Sequence, residues 1–132
     1  MGGRLLVVVL AGLCLACTAT TSPAETLQAD FDASVDAYNS GDAGRYSAYF
    51  CPSAITQARD NGGDLTSSEK LRQSLGSSGK MKPGNLTEVN IDGDTATAKV
   101  EMRFEKDPDD MTYFPVLLSF RRSDAGWKQC KL

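Results

Sequence analysis

Apolar positions along this 132-residue chain fall into three rhythms. The first is a run from Leu5 to Leu15, broken only by small residues and without a polar face. From Ser22 the rhythm is helical: Leu27, Phe31, Val35 and Tyr38 recur at spacings of four, four and three, laying one apolar stripe along a helix. Ser22 and Glu25 have the capping-box spacing, Pro23 takes the first helical position, where its missing N–H costs nothing, and Gly41 ends the helix. Asp42 is placed to cap a second short helix carrying Tyr46, Tyr49 and Phe50, which stops before Pro52. A helical turn with Ile55 and Ala58 follows, and Asn61, Gly62 and Gly63 break the chain. Thr66 and Glu69 repeat the capping-box spacing ahead of Leu71 and Leu75, predicting another short helix, and the Gly-, Ser- and Lys-rich segment 76–84 reads as a mobile loop.

The third rhythm has a period of two. Ala96, Ala98, Val100, Met102 and Phe104 alternate with Thr97, Lys99, Glu101 and Arg103, a strand with one buried and one wet face. Asp92, Gly93 and Asp94 turn into it from a strand around Val89 and Ile91, and residues 107–110 turn out of it. Phe114, Val116, Leu118 and Phe120 then share a face, with Tyr113 and Leu117 opposite; Pro115 argues for an edge position or a bulge. Residues 123–126 turn into a last strand from Trp127 to Leu132. Helices first and an antiparallel meander afterwards predict an α+β fold over residues 23–132, with N-terminal helices packed on a curved antiparallel sheet.

The opening run bears on where the chain works. With Arg4 ahead of it, residues 1–16 have the layout of a secretory signal peptide. The run falls short of the roughly 20 apolar residues of a spanning helix. Leu15, Ala16 and Cys17 resemble the bacterial lipobox, in which a Cys after a small residue is acylated and becomes residue one, so residues 17–22 would be a lipidated Cys and a polar tether. Cys14 and Leu15 depart from the usual residues of that motif, which leaves open cleavage near Ala19 and a secreted product. On the lipobox reading, acyl chains on Cys17 hold the protein at the extracytoplasmic face of the cell membrane, each buried CH₂ contributing about 0.8 kcal/mol.

Charge and composition narrow the chemistry. Lys and Arg number 14 against 17 Asp and Glu, a net charge of -3 with no basic patch in the sequence, which argues against a nucleic-acid partner bound by phosphate neutralisation. Histidine is absent, which removes the commonest general base and metal ligand and every Ser–His or Cys–His pair. No cofactor motif is evident, and two cysteines without histidine cannot supply the four ligands of structural zinc. If Cys14 leaves with the signal and Cys17 is acylated, Cys51 and Cys130 remain. In an oxidising compartment one bridge between them is the economical outcome, two buried thiols the alternative. Closing a loop of 79 positions would contribute about 4 to 5 kcal/mol.

The carboxylates offer little to catalysis. Asp30, Asp32 and Asp36 lie off the helical stripe and read as a solvated face, Asp42 reads as a helix cap, and Glu101 and Glu105 alternate outward beside Lys99 and Arg103. The hydroxyls of Tyr38, Tyr46 and Tyr49 need partners if buried, whether a ligand or the backbone and water, and Trp127 is expected to pack near the disulfide.

A long first helix, a turn at Gly41 and Asp42, an aromatic second helix ending in Tyr49, Phe50 and Cys51, and a terminal Gly126, Trp127, Lys128 and Cys130 resemble a family of actinobacterial lipoproteins of uncharacterised function. Their domain is nuclear-transport-factor-2-like (cystatin-like, lumazine-binding-like), and the resemblance spans roughly residues 24–132. It implies a cone in which helices close a bent sheet over an apolar pocket, and it pairs Cys51 with Cys130. The pocket candidates are Phe31, Tyr38, Tyr49, Phe104, Phe114, Val116 and Leu118. The fold hosts isomerases, dehydratases and pure binding modules, so fold alone selects none of them. Two functional expectations follow. One is a non-catalytic, membrane-anchored envelope lipoprotein that takes a small apolar ligand or an envelope protein as partner; the other is a small lyase or isomerase using Asp42 or a Tyr in the cone.

Overall fold

The structure is a computed structural model and describes residues 20–132; the signal segment, Cys14 and Cys17 lie outside the described residues. Four helices, α1 (Pro23–Asn39), α2 (Ala43–Ser47), α3 (Pro52–Asp60) and α4 (Ser68–Ser78), precede four strands, β1 (Thr87–Asp92), β2 (Thr95–Val100), β3 (Val116–Ser123) and β4 (Gly126–Lys131). The strands form one antiparallel sheet in the order β1-β2-β3-β4, the α+β arrangement that the change of period predicts. No described helix is long and apolar enough to cross a membrane.

The helix starts follow from capping chemistry. Ser22 Oγ accepts the Glu25 N–H at 3.2 Å while the Glu25 carboxylate accepts the Ser22 N–H at 3.2 Å, so two otherwise orphaned donors at the start of α1 are satisfied reciprocally. Asp42 caps α2 by accepting the Arg45 N–H at 2.9 Å. Pro52 opens α3, which runs for nine residues rather than a single turn. At α4 the cap is Ser67 and not Thr66, because Asp64 already accepts both the Thr66 N–H and its hydroxyl, at 2.9 and 2.6 Å.

Four further expectations are corrected beyond that point. Helix α4 continues through Gly76 to Ser78, and the segment after it is hydrogen-bonded rather than a mobile loop: Lys82 N–H donates to Arg103 O at 2.7 Å and Glu105 N–H to Lys80 O at 2.8 Å. Gly79 permits this pairing. At φ +76° a side chain there would be strained, and a Cβ would lie 2.8 Å from Glu105 Cβ. Strand β2 ends at Val100 instead of reaching Phe104 because its partner β3 begins at Val116, opposite Val100, so residues 101–105 pair with 80–84 instead. Pro115 precedes β3 directly and β3 is an interior strand, so the proline marks the ladder's end rather than an edge. Phe114, expected on the buried face, is 77% exposed because the alternation has not begun at its position.

Burial follows two apolar clusters. In the larger, Leu27 and Phe31 of α1 lie against Ala96, Ala98 and Val100 of β2, Leu118 and Phe120 of β3, and Trp127 of β4. The smaller fills the corner between helices with Tyr38, Tyr46, Phe50, Ala54 and Leu71; Tyr46 meets Tyr38 and Phe50 edge-on, with ring centroids 5.4 and 4.9 Å apart. Phe104 joins this corner beside Tyr38 rather than the sheet core.

Strand β4 is fastened to the helical layer at several points, among them a hydrogen bond from the Ser53 hydroxyl of α3 to Cys130 O at 3.2 Å. Asp30, expected on a solvated face, is half-buried, and its carboxylate accepts the Trp127 N–H at 2.8 Å. Gln129 N–H donates to Tyr49 O at 2.8 Å and Cys51 N–H to Gln129 O at 2.9 Å, a parallel bridge between residues 49–51 and the strand. Cys51 and Cys130 are bonded, with Cα atoms 4.7 Å apart. Ser119 pairs with Lys131 and Phe120 with Gln129, so Cys130 is the extra residue of a bulge, and its side chain points toward Cys51. Trp127 lies in the main core under α1 instead of beside the disulfide.

Two measurements check this fastening. Asp30→Ala leaves the Trp127 N–H without its acceptor and should cost about 1 to 3 kcal/mol in denaturant unfolding. Gly126→Ala should also destabilise, since φ there is +106° and a Cβ would meet Asp30 Oδ2 at 2.7 Å. Lys99→Ala, at a surface ion pair with Glu88, should cost under about 0.5 kcal/mol; losses of equal size at all three positions would sink the assignment. Separately, thiol titration of the unfolded, unreduced protein should find neither Cys51 nor Cys130 reactive, and reduction should lower the denaturant midpoint sharply, in line with about 4 to 5 kcal/mol from loop closure.

Candidate functional site

Where the two apolar clusters meet, the packing leaves a cavity of about 280 Å³ between α1 and the sheet. Helix α1 contributes Phe31, Ser34 and Val35, the turns of the stripe that face the sheet. Tyr46 and Phe50 come from the segment that clasps β4, Met81 and Met102 from the two paired segments that follow α4 and β2. Val116, Leu117 and Leu118 border it from β3, with Gln129 and Leu132 near the end of the chain, and the exposed Val116, Leu117 and Leu132 form its open mouth. This size lies at the lower end of small-molecule sites, and the predominance of aliphatic and aromatic side chains is typical of them.

The polar groups on the wall are Ser34, Tyr46 and Gln129, all uncharged. Ser34 is buried and its hydroxyl donates to Phe31 O at 2.6 Å, which leaves the oxygen able to accept. Burial pushes the Tyr46 phenol well above its ordinary range, with Tyr38 adding to the shift, so it stays protonated as a donor. The Gln129 amide donates to Lys131 O at 3.3 Å. No Asp or Glu side chain lines the cavity. A wall of this kind can desolvate an apolar molecule and orient it by one or two hydrogen bonds; it holds no acid–base pair for proton transfer.

The sequence-derived candidates separate in space. Phe31, Val116 and Leu118 line the cavity. Tyr38 instead lines a groove among the helices with Ala58, Leu71 and Ser74, and Phe104 packs behind it. Burial raises the Tyr38 phenol, opposed by its hydrogen bond with Ser74. Tyr49 is half-buried beside a small void next to Trp127, whose Nε1 is buried without a partner, and Phe114 stands exposed away from both. Asp42 is an exposed helix cap outside the cavity wall. Sequence reasoning missed most of the lining: Val35, Phe50, Met81, Met102, Leu132 and the polar Ser34 and Gln129 are not among the pocket candidates, and Leu117, expected on the face opposite Val116 and Leu118, borders the cavity with them. Ser34 sits three residues after Phe31 on the same helical face, and Gln129 two after Trp127 on the same strand face, so periodicity carried the signal although polarity hid it. Among the described residues no group of three or more His, Cys, Asp or Glu side chains could hold a metal ion.

No family model matches the chain, and no curated protein matches it. Solved structures do. A domain of unknown function with a cystatin-like fold from Nostoc punctiforme is similar with a TM-score of 0.54 and 17% identity, over 83% of this chain and 74% of that one. A Streptomyces avermitilis protein of the NTF2-like family, proposed as a dehydratase, aligns at 0.46 and 20% identity over 83% and 95% of the two chains. A cystatin-fold protein from Novosphingobium aromaticivorans aligns at 0.47 and 14%, over 84% and 97%. The Nostoc likeness is one of fold: helices followed by a four-stranded antiparallel sheet, the cone-type α+β architecture.

The split between cavity wall and exterior is measurable. Leu118→Ala should cost about 2 to 5 kcal/mol in unfolding free energy, whereas Phe114→Ser should cost under about 0.5. A large loss at Phe114 would reverse the assignment.

Proposed function

We propose that this chain is an exported lipoprotein, held at the extracytoplasmic face of the cell membrane through acyl chains on Cys17, whose cone domain binds a small uncharged apolar ligand without transforming it. The observation that carries the ligand reading is the cavity between α1 and the sheet, whose lining side chains are apolar except for the neutral Ser34, Tyr46 and Gln129. The anchor reading rests on the signal-like run and on Ala16 and Cys17. A wall without charged side chains selects by desolvation: a charged ligand would lose its hydration there without a compensating side chain, whereas an apolar one gains about 25 cal/mol for each Å² removed from water. A lyase or isomerase would require a base in contact with the ligand, and the strongest sequence candidate, Asp42, is occupied with the Arg45 amide on the surface.

Cys17→Ala separates the two parts of the reading. In the native host this variant should leave the membrane fraction and be recovered soluble or secreted; unchanged membrane association rejects the anchor. The recovered protein should then bind the neutral fluorophore N-phenyl-1-naphthylamine saturably, and Val116→Phe at the cavity mouth should weaken binding about tenfold, or roughly 1.4 kcal/mol. Absence of saturable binding, or an unchanged affinity in Val116→Phe, rejects the ligand site.

A further inference from the structure

The outer face of the sheet, opposite the cone cavity, carries a second cleft of about 470 Å³. Its floor is the Cys51–Cys130 disulfide with Pro52, and its polar groups are Ser53, Ser123, Arg121 and Lys128. Arg121 and Lys128 are direct cross-strand partners in the β3–β4 ladder. Like charges placed opposite one another in a sheet repel, and an ordinary surface relieves this with a neighbouring carboxylate. Elsewhere on the protein Lys99 is paired with Glu88, Arg103 with Glu101 and Arg122 with Asp94. Among the described residues Arg121 and Lys128 have no such partner and no carboxylate lines the cleft; Asp92, in the same cross-strand row beyond Thr95, borders the adjoining hollow without an ion pair to Arg121. In a chain of net charge -3 this is a local reversal of sign, which the sequence conceals because the two cations lie on opposite sides of the 123–126 turn.

We propose that this cleft is a binding site for a phosphate group, with Arg121 and Lys128 as its two cationic ligands. Phosphate fits the arrangement better than carboxylate on charge and on geometry. Two facing cations match the near-double negative charge of a phosphate monoester, while a carboxylate would leave one cation uncompensated. The planar guanidinium of Arg121 can engage two oxygens in parallel, leaving a third for the ammonium of Lys128. Ser53 and Ser123 also line the cleft, but their hydroxyls already donate to Cys130 O and Gly126 O, so the two cations carry the site, with the start of α3 at Pro52 and Ser53 adding positive potential of the same sign. The phosphate can belong to a soluble ester or to a phospholipid headgroup; the chemistry at the two cations is shared.

The test follows backbone amides of the full chain, in an uncharged detergent, during titration with inorganic phosphate and, separately, with dihexanoyl phosphatidic acid. Saturable shifts are expected at Ser53, Arg121 and Lys128. Arg121→Gln and Lys128→Gln should each weaken the affinity about tenfold, and Lys99→Gln should leave it unchanged. A response to inorganic phosphate assigns the site to soluble phosphate compounds, and a response to the lipid alone assigns it to a headgroup. No saturable shift with either, or shifts that persist in the Arg121→Gln, Lys128→Gln double variant while its remaining amides stay in place, overturns the proposal. The cone cavity takes no part in the readout, so this outcome is separate from the fate of the apolar-ligand reading.

Discussion

The open edge of β4 is the constraint around which the helical layer is arranged. A terminal strand of a sheet presents N–H and C=O groups that must find partners in water, in another chain or within the fold. Here Trp127 donates its N–H to the Asp30 carboxylate of α1, and Gln129 uses both its N–H and its C=O on residues 49–51. The disulfide then makes the second attachment covalent. Each partner lies far away in sequence, so ordering β4 also orders the position of α1 and of the segment between α2 and α3. The opposite edge, β1, is handled differently, by a register shift with Glu88 at φ 47° and the Glu88–Lys99 ion pair, a bulged and charged edge of the kind that resists pairing with other chains.

The cavity inherits its shape from the same fastening. Phe31 and Ser34 reach it from the helix that Asp30 ties down, Tyr46 and Phe50 lead into the segment that clasps Gln129, and Gln129 itself contributes to the wall. The parts of the wall on α1, on residues 46–50 and on β4 are therefore placed by one set of hydrogen bonds and a disulfide, of which only Gln129 itself lines the space. Such a site is preorganised, because the cost of ordering its residues is met in folding rather than on binding.

Local chemistry was legible in the sequence and long-range pairing was not. The capping box at Ser22 and Glu25, the cap at Asp42 and the Asp92–Asp94 turn all depend on residues within a few positions of one another, and each forms as read. Cys51 and Cys130 could be paired from afar only because so few cysteines remained to choose from. Asp30 had no such help: its partner amide is 97 positions away, and a carboxylate off an apolar stripe carries no sign that it faces a strand edge. Alternation likewise could not say that β2 stops at Val100, since the end is fixed by where β3 begins. Of the cavity, Phe31, Val116 and Leu118 were visible, whereas strict alternation assigns Leu117 to the opposite face, and Ser34 and Gln129, being polar, gave no hydrophobic signal.

The bulge at Cys130 restricts which changes of length the chain can accept. Trp127 and Gln129 face inward and Cys130 reaches the outer side to meet Cys51, as strand alternation supplies at this spacing, and the bulge, where two residues of β4 stand opposite one step of β3, shifts the register for Lys131. Deleting one residue between Trp127 and Cys130 would reverse the facing of whatever follows, so either the core residue or the disulfide would be lost. Substitutions at Lys128 or Lys131 leave this arithmetic intact. The terminal strand is thus far more tolerant of spelling changes than of insertions or deletions, and length variation among related chains should collect in the 107–115 connection, where no ladder keeps count.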